Sequence, residues 1–250
     1  RESKFARQLR SRKISFYWGR ATIVNDNPDK VLTSSGNADT HLAPTLRGVV
    51  DRTRRELFLV SPYFVPGKQG VEILAGVRRR GARVVVITNS LAATDGLPVH
   101  AKYKLYRKPL LEAGIELYET KPTAGALHER EPDSSRGGTG SGSSSLHAKT
   151  FAFDRRIAFV GSYNIDPRSS KLNTEMGVLF DCPAFAKRLP EKTERDIDRN
   201  AYRVELVGNH LEWVTREGNN QVRFDSEPET SLWKRIKVSV LSWLPIESLL

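Results

Sequence analysis

Between residues 56 and 118, short apolar runs alternate with stretches of helical period, and this alternation limits the fold more than any other feature. Glu56–Val60 (ELFLV) reads as a strand, ended by Pro62 and by Pro66-Gly67. Val71, Leu74 and Val77 then recur at helical spacing, and Arg78-Arg79-Arg80-Gly81 closes that helix. Val84–Thr88 (VVVIT) is β-branched throughout, as a buried strand requires. After a loop at 89–96, Val99, Tyr103, Tyr106 and Leu110 form a second helical stripe, strained at Pro109 and capped at Gly114. Ile115–Tyr118 is a third strand. Strand–helix–strand order of this kind predicts an α/β fold whose strands run parallel through right-handed crossovers.

Beyond Tyr118 the pattern changes. Residues 132–145 (PDSSRGGTGSGSSS) read as a flexible Gly/Ser segment, either a mobile loop over a site or a tolerated insertion. Leu146–Phe153 and Ile157–Gly161 read as two strands joined by a turn at Asp154-Arg155-Arg156. Met176–Phe180 is a further strand, and Phe185–Asn200 a charged helix. Tyr202–Val207 and Leu211–Thr215 flank the hairpin signal Gly208-Asn209, and Gly218–Glu229 reads as a polar linker. The tail, Leu232–Leu244, sets Trp233, Ile236, Val240, Trp243 and Leu244 near one helical face, with Lys237 at its border. Two readings of it stand. It is a helix lying in a membrane interface, tryptophans at headgroup depth and cations near anionic lipid, or a terminal helix packed on the domain. No run reaches the roughly 18 apolar residues of a spanning helix. The opening RESKFARQLRSRK lacks the apolar core of a secretory signal. With no first strand ahead of Phe16-Tyr17-Trp18, it reads as an internal cut.

Composition narrows the partner. The 250 residues include 40 Lys and Arg against 29 Asp and Glu, a formal charge of +11. Such a chain is expected to meet an anionic partner: nucleic acid, an acidic membrane surface or a phosphorylated substrate. The single cysteine, Cys182, excludes an intramolecular disulfide framework and a cysteine-based zinc site.

The stretch that carries chemistry is His147-Ala148-Lys149, Asp154, then Gly161-Ser162-Tyr163-Asn164. Strand period puts His147 and Lys149 on one face. Ser162 and Asn164 share a face if the backbone stays extended, and a hairpin brings all four together. That grouping offers a titratable imidazole, a fixed cation and two neutral hydrogen-bonding groups, the set that phosphoryl chemistry needs.

The spacing H-x-K-x4-D-x6-G-S-x-N resembles the signature of the phospholipase D superfamily, as does Asn173-Thr174-Glu175 downstream. Ser61–Pro66 (SPYFVP), Thr88–Asp95 (TNSLAATD) and Val99-His100 with Tyr103 and Tyr106-Arg107-Lys108 look like the second half of two-motif bacterial cardiolipin synthases. The tail from Trp233 to Glu247 is similar to the end of their C-type branch. This resemblance implies a phospholipase D-like lobe, a mixed, mostly parallel sheet flanked by helices, with an appended C-terminal amphipathic helix. It divides the chain into a connecting segment from a missing N-terminal lobe (1–45), a catalytic lobe (46–217), and a linker with a membrane-proximal tail (218–250). Asn25–Lys30 (NDNPDK) looks like the segment that follows the first half. Sites in this family need two motifs and the chain has one. It is therefore expected to be a C-terminal half, or else a homodimeric one-motif enzyme.

The resemblance also assigns roles. The reaction is expected to pass through a phosphohistidine with no metal and no other cofactor. His147 takes the acid/base role, opposite a nucleophilic histidine from the other half. Lys149 and Asn164 hold phosphate oxygens, Ser162 supports that network, and Glu175 orients the imidazole. Asp154 either fixes the turn or takes part directly. Tyr63 and Phe64 follow a strand end and line the lipid-side pocket or pack in the core. His100 reaches the site or is an ordinary cap or surface histidine. The expected function is phosphatidyl transfer from a phosphatidyl donor to phosphatidylglycerol or a similar alcohol, making cardiolipin. The expected location is the face of the bacterial cytoplasmic membrane, peripherally, or otherwise the cytoplasm. A nuclease, and an inactive lobe that binds membrane or a partner, are the alternatives; the Trp-rich tail speaks against nucleic acid.

Overall fold

The computed structural model describes residues 7, 9–11, 16–31, 41–122, 146–245 and 247. The expected flexible segment at 132–145 lies outside them. Strand β1 (Arg20–Asn25) is followed by α1 (Leu42–Arg52), β2 (Glu56–Val60), α2 (Gly67–Arg79) and β3 (Arg83–Asn89). Next come α3 (Leu97–Tyr103), α4 (Arg107–Glu112), β4 (Glu116–Thr120), β5 (Thr150–Phe153), β6 (Ile157–Gly161), α5 (Pro167–Lys171) and β7 (Met176–Asp181). The chain ends with α6 (Pro183–Ala186), α7 (Arg188–Asn200), β8 (Ala201–Val207), β9 (His210–Glu217), β10 (Asn220–Phe224) and α8 (Leu232–Trp243).

The ten strands form one mixed sheet in the order β1-β7-β6-β5-β2-β3-β4-β8-β9-β10. Its centre is β2, whose alternate residues serve two cores. Leu57 and Leu59 pack with Leu46, Leu74, Val84 and Phe151 on one side. Phe58 and Val60 pack with Val85, Ile87 and Ile197 on the other. This two-sided burial is why ELFLV and VVVIT read as continuous apolar runs rather than alternating ones.

The α/β class holds, but the expected predominance of parallel strands does not. Among the described residues only β2–β3 and β3–β4 pair as parallel strands. The other seven pairings are antiparallel. Parallel pairing needs a crossover of a dozen residues or so, and β2 to β3 and β3 to β4 are each joined by such a helical connection. The turns at 154–156, 208–209 and 218–219 reverse the chain within two or three residues, which permits only antiparallel neighbours. The last of these also corrects the linker at 218–229. Gly218, at a φ of 61°, turns the chain so that Asn220–Phe224 adds to β9 as the edge of the sheet.

The expected helix through Val99 and Leu110 is broken in two. A 3-10 turn at Lys104–Tyr106 separates α3 from α4. Pro109 has no N–H to give to the carbonyl of Leu105, so a continuous helix would lose a bond and meet the proline ring there. The packed reading of the tail holds for one face of α8. Val238 and Leu241 pack on Leu91, Leu97 and Ala101, while Trp233, Ile236, Val240 and Trp243 are exposed. Among the described residues no helix is long and apolar enough to cross a membrane.

Candidate active site

The motif sits at the carboxyl end of the parallel strands, where open α/β sheets build their sites. Asn89, the last residue of β3, sets its position. Its amide Nδ2 donates to the carbonyl of Leu146 (3.2 Å), and its Oδ1 accepts from the Leu146 N–H (3.0 Å). One side chain thus takes both backbone groups of the residue before His147. For this reason the strand expected from Leu146 begins only at Thr150: a side-chain amide replaces the ladder. His147 stands exposed beside it, and the Lys149 ammonium donates to the His147 carbonyl (3.1 Å).

The glycine of the motif has a packing reason. Gly161 lies opposite Gly177 in the β6–β7 ladder, and the ring of Phe159 crosses over both, stacked on Phe151. A Cβ at Gly161 would collide with that ring and with the carbonyl of Met176. The chain then leaves the ladder at Ser162, whose hydroxyl donates to Glu175 and accepts from the N–H of Met176 (3.1 Å). Both Glu175 oxygens are engaged. Oε2 accepts from Ser162, and Oε1 from Ser169 (2.8 Å) and Asn173 (3.3 Å). Glu175 was expected to orient the imidazole; among the described residues the hydroxyl it holds beside the motif is that of Ser162.

Behind Glu175 lies a buried ion pair that sequence reasoning missed. Lys30 donates to Asp26 (2.7 Å), both side chains being shut off from solvent, and also to the carbonyl of Ser169 (2.8 Å). Asp26 in turn accepts from the N–H of Glu175 (2.8 Å) and of Leu42 (2.7 Å). These residues belong to Asn25–Lys30, which the sequence marked only as a connector. Nothing in its local pattern shows that it buries a charge against the motif.

Lys149 shares an acidic field with Tyr63. Burial pushes the Lys149 ammonium below its ordinary value, against the pull of Glu175, Asp166 and Asp95. The Tyr63 hydroxyl donates to Asp95 (2.9 Å), and burial, Asp95 and Asp166 together push its pKa up. The two side chains thus lie in reach of the same carboxylates, Asp95 and Asp166. Asp166 is itself raised, by burial first, and caps α5 through the N–H of Ser169 (2.7 Å). Close by, Asn164 has a buried Oδ1 without a hydrogen-bond partner. That oxygen is an acceptor, and a buried acceptor left unpaired costs about 1–3 kcal/mol.

Asp154 has the geometry of a turn-fixing residue. It sits at a φ of 52°, and its Oδ1 accepts from the N–H groups of Arg54 (3.1 Å), Arg55 (2.7 Å) and Glu56 (3.0 Å). It therefore ties the β5–β6 hairpin to the start of β2, at the end of the strands away from His147.

Two expected pocket residues are placed elsewhere. Phe64 is core, 1% exposed and edge-on to Tyr103, because its neighbour Ile165 bridges to it as an extra strand rung. His100 is 3% exposed inside an ionic cluster. Its Nε2 accepts from Arg107 (2.9 Å) beside Glu227, and Arg107 also donates to Glu119 (2.7 Å) and Glu227 (2.7 Å). The cavity that Phe64 and His100 line is only about 10 Å³, room for a single water.

Comparison with known proteins agrees with this geometry. The family model described as "Cardiolipin synthase, PLD-like domain" matches residues 46–197. The chain is 37% identical over 254 residues to cardiolipin synthase C of Escherichia coli K12, an alignment covering 99% of this chain and 52% of that protein. It therefore spans about half the length of the curated relatives it matches. Among solved structures, phosphatidylserine synthase of Haemophilus influenzae superposes with a TM-score of 0.52 at 15% identity, covering 73% of this chain and 39% of that one. The phospholipase D family member Nuc of Salmonella typhimurium does so with 0.51 at 13% identity, covering 74% and 99%. Both structures share the fold. With more than half of its length matched by the family model and the motif seated at the strand ends, the chain belongs to the phospholipase D-like domain family of cardiolipin synthases.

Proposed function

We propose that this chain supplies one half of a phosphodiester-exchange site acting on phospholipids, in the manner of a cardiolipin synthase. The observation that carries this reading is the grouping of His147, Lys149 and Ser162 at the strand ends, where Asn89 holds Leu146 and Glu175 holds Ser162. The 37% identity to a cardiolipin synthase supports the lipid as substrate.

In this reading a second histidine, from an N-terminal lobe or a second subunit, attacks the phosphorus of a phosphatidyl donor. His147 gives its proton to the departing alkoxide as the P–O bond breaks and the P–N bond forms. It then takes the proton of an incoming alcohol, such as phosphatidylglycerol, whose oxygen displaces the first histidine. An imidazole, with one nitrogen to give a proton and one to take it, serves in both directions. Lys149 holds phosphate oxygens as a point charge and Asn164 as a neutral donor. Glu175 acts through Ser162, and Asp154 acts through the hairpin. Such an enzyme works at the surface of an anionic membrane, peripherally at the bacterial cytoplasmic membrane.

The test uses the full-length protein with mixed phosphatidylglycerol vesicles and, separately, with DNA. Cardiolipin is expected to form, and to fall by at least about 10²-fold in His147→Ala, the usual weight of a general acid–base group. Cleavage of DNA without lipid turnover overturns the reading in favour of a nuclease.

A further inference from the structure

Helix α8 has two apolar faces, and the lobe covers one. Val238 and Leu241 pack on Leu91, Leu97 and Ala101 of the loop after β3 and of α3. Lys102 donates to the carbonyl of Ser242 (2.9 Å) and Lys104 to the hydroxyl of Ser239 (3.0 Å). These contacts fix the helix on the lobe. On its outer side Leu232, Trp233, Ile236, Val240, Trp243 and Leu244 stand exposed, Trp233 at 76% and Trp243 at 86%. Their three- and four-residue spacing makes them a continuous ridge, and contiguous apolar surface of this kind marks an interaction site.

The ridge is bordered by charge of one sign. Lys234 and Lys237, with Leu97, Ser231 and Trp233, line an open cleft of about 520 Å³ beside the start of α3. No carboxylate lines it. The acid whose charge reaches Lys234 is Glu227, which is already bonded to Arg107. Indoles at the edge of an apolar ridge and ammonium groups next to them match the headgroup zone of a bilayer, where tryptophan is enriched and lysine meets lipid phosphate. A second copy of the chain fits less well, since it would bring the same lysines and the same +11 charge against this surface.

We propose that α8, without leaving the lobe, is a rigid docking surface for an anionic bilayer, with the phosphate of an anionic phospholipid held in the Lys234–Lys237 cleft. This site involves neither His147 nor its partners. It does share their end of the sheet: Leu91, which packs on α8, follows two residues after Asn89, which holds Leu146. Docking through α8 therefore brings the motif to the bilayer.

The test is sedimentation of the full-length protein with vesicles of phosphatidylcholine alone and of phosphatidylcholine mixed with phosphatidylglycerol, read together with tryptophan emission. Binding is expected to the mixed vesicles only, with a blue shift. The exposed double variant Trp233→Ser, Trp243→Ser is expected to lose the shift and most of the binding. Lys234→Gln and Lys237→Gln are each expected to weaken binding by roughly fivefold at low salt and little at high salt. His147→Ala is expected to bind like the parent even though it turns over no lipid, which separates this surface from the proposed chemistry. Undiminished binding by the tryptophan variant overturns the proposal. So does equal binding to both vesicle types, or a dimer that dissociates in the tryptophan variant while vesicle binding persists.

Discussion

Lys30 and Asp26 show how far from the motif its support begins. The two side chains are buried together, and Asp26 also accepts the N–H of Glu175, the residue that holds Ser162. Removing one partner leaves a charge buried without its counterion, so Lys30→Met is expected to destabilise the fold by about 3–5 kcal/mol. The double variant Lys30→Met, Asp26→Asn removes both charges and is expected to recover part of that loss. A urea double-mutant cycle completed with Asp26→Asn alone measures the coupling, and strictly additive losses would show the pair to be idle. The motif itself was legible, because His147, Lys149, Asp154 and Asn164 lie within one hairpin and its exit. Their supports were not. Asn89 reaches Leu146 across 57 positions and Asp26 reaches Glu175 across 149, and no local pattern encodes such a meeting. Phe64 and His100 misled for the opposite reason. Tyr63, beside Phe64, faces Asp95, but the side chains of Phe64 and His100 themselves turn inward.

At the scale of elements, β2 and β3 were legible because each holds a continuous run of apolar, largely β-branched or aromatic residues, whereas β1 and β10 were not, because edge strands covered on one side read as polar loops. Tail and linker were divided too early for the same reason: Phe224 packs on Tyr202 and Arg223 bonds Glu205 (3.0 Å) and Glu212 (2.8 Å), contacts that only the folded sheet supplies. The broken pair α3 and α4 is held by the His100–Arg107–Glu119–Glu227 cluster, which also receives the Tyr103 hydroxyl (2.8 Å) and the Trp213 indole (2.9 Å) at Glu119. Burial, with Arg107 close by, holds the His100 imidazole below its ordinary value, against the pull of Glu227 and Glu119. The unfolded chain then binds the extra proton first, so stability from this group is complete above the unfolded value of about 6.5 and declines as the pH falls below it. Glu227, held well below the carboxylate range by His100 and Arg107 against its own burial, loses its contribution only in a more acidic window. The melting temperature is accordingly expected to drop between about pH 7 and pH 5 and to drop less in His100→Gln. A parallel decline in both proteins would place the acid sensitivity elsewhere.

For the whole molecule, the proposed chemistry needs a second histidine, and one motif in a chain half as long as its relatives makes the source of that histidine the central question. If it lies in another lobe of the same polypeptide, these 250 residues alone are expected to sediment as a monomer and to show no turnover at any concentration. A specific activity that rises with protein concentration, together with a dimer in the ultracentrifuge, would instead mean that two copies build the site. The paired edge of the sheet bears on how such a chain is divided at all. Residues 46–197 match the family, yet β1 lies ahead of them and pairs with β7 over six positions, from Arg20–Asp181 to Asn25–Met176. A chain begun at the family boundary would leave the backbone of β7 unpaired beside Val160 and Met176, already exposed. Open apolar strand edges recruit one another. The residues that close this one are therefore expected to guard against self-association as well as to brace Glu175, so that a piece of this chain cut at residue 46 is expected to aggregate where one that keeps β1 does not.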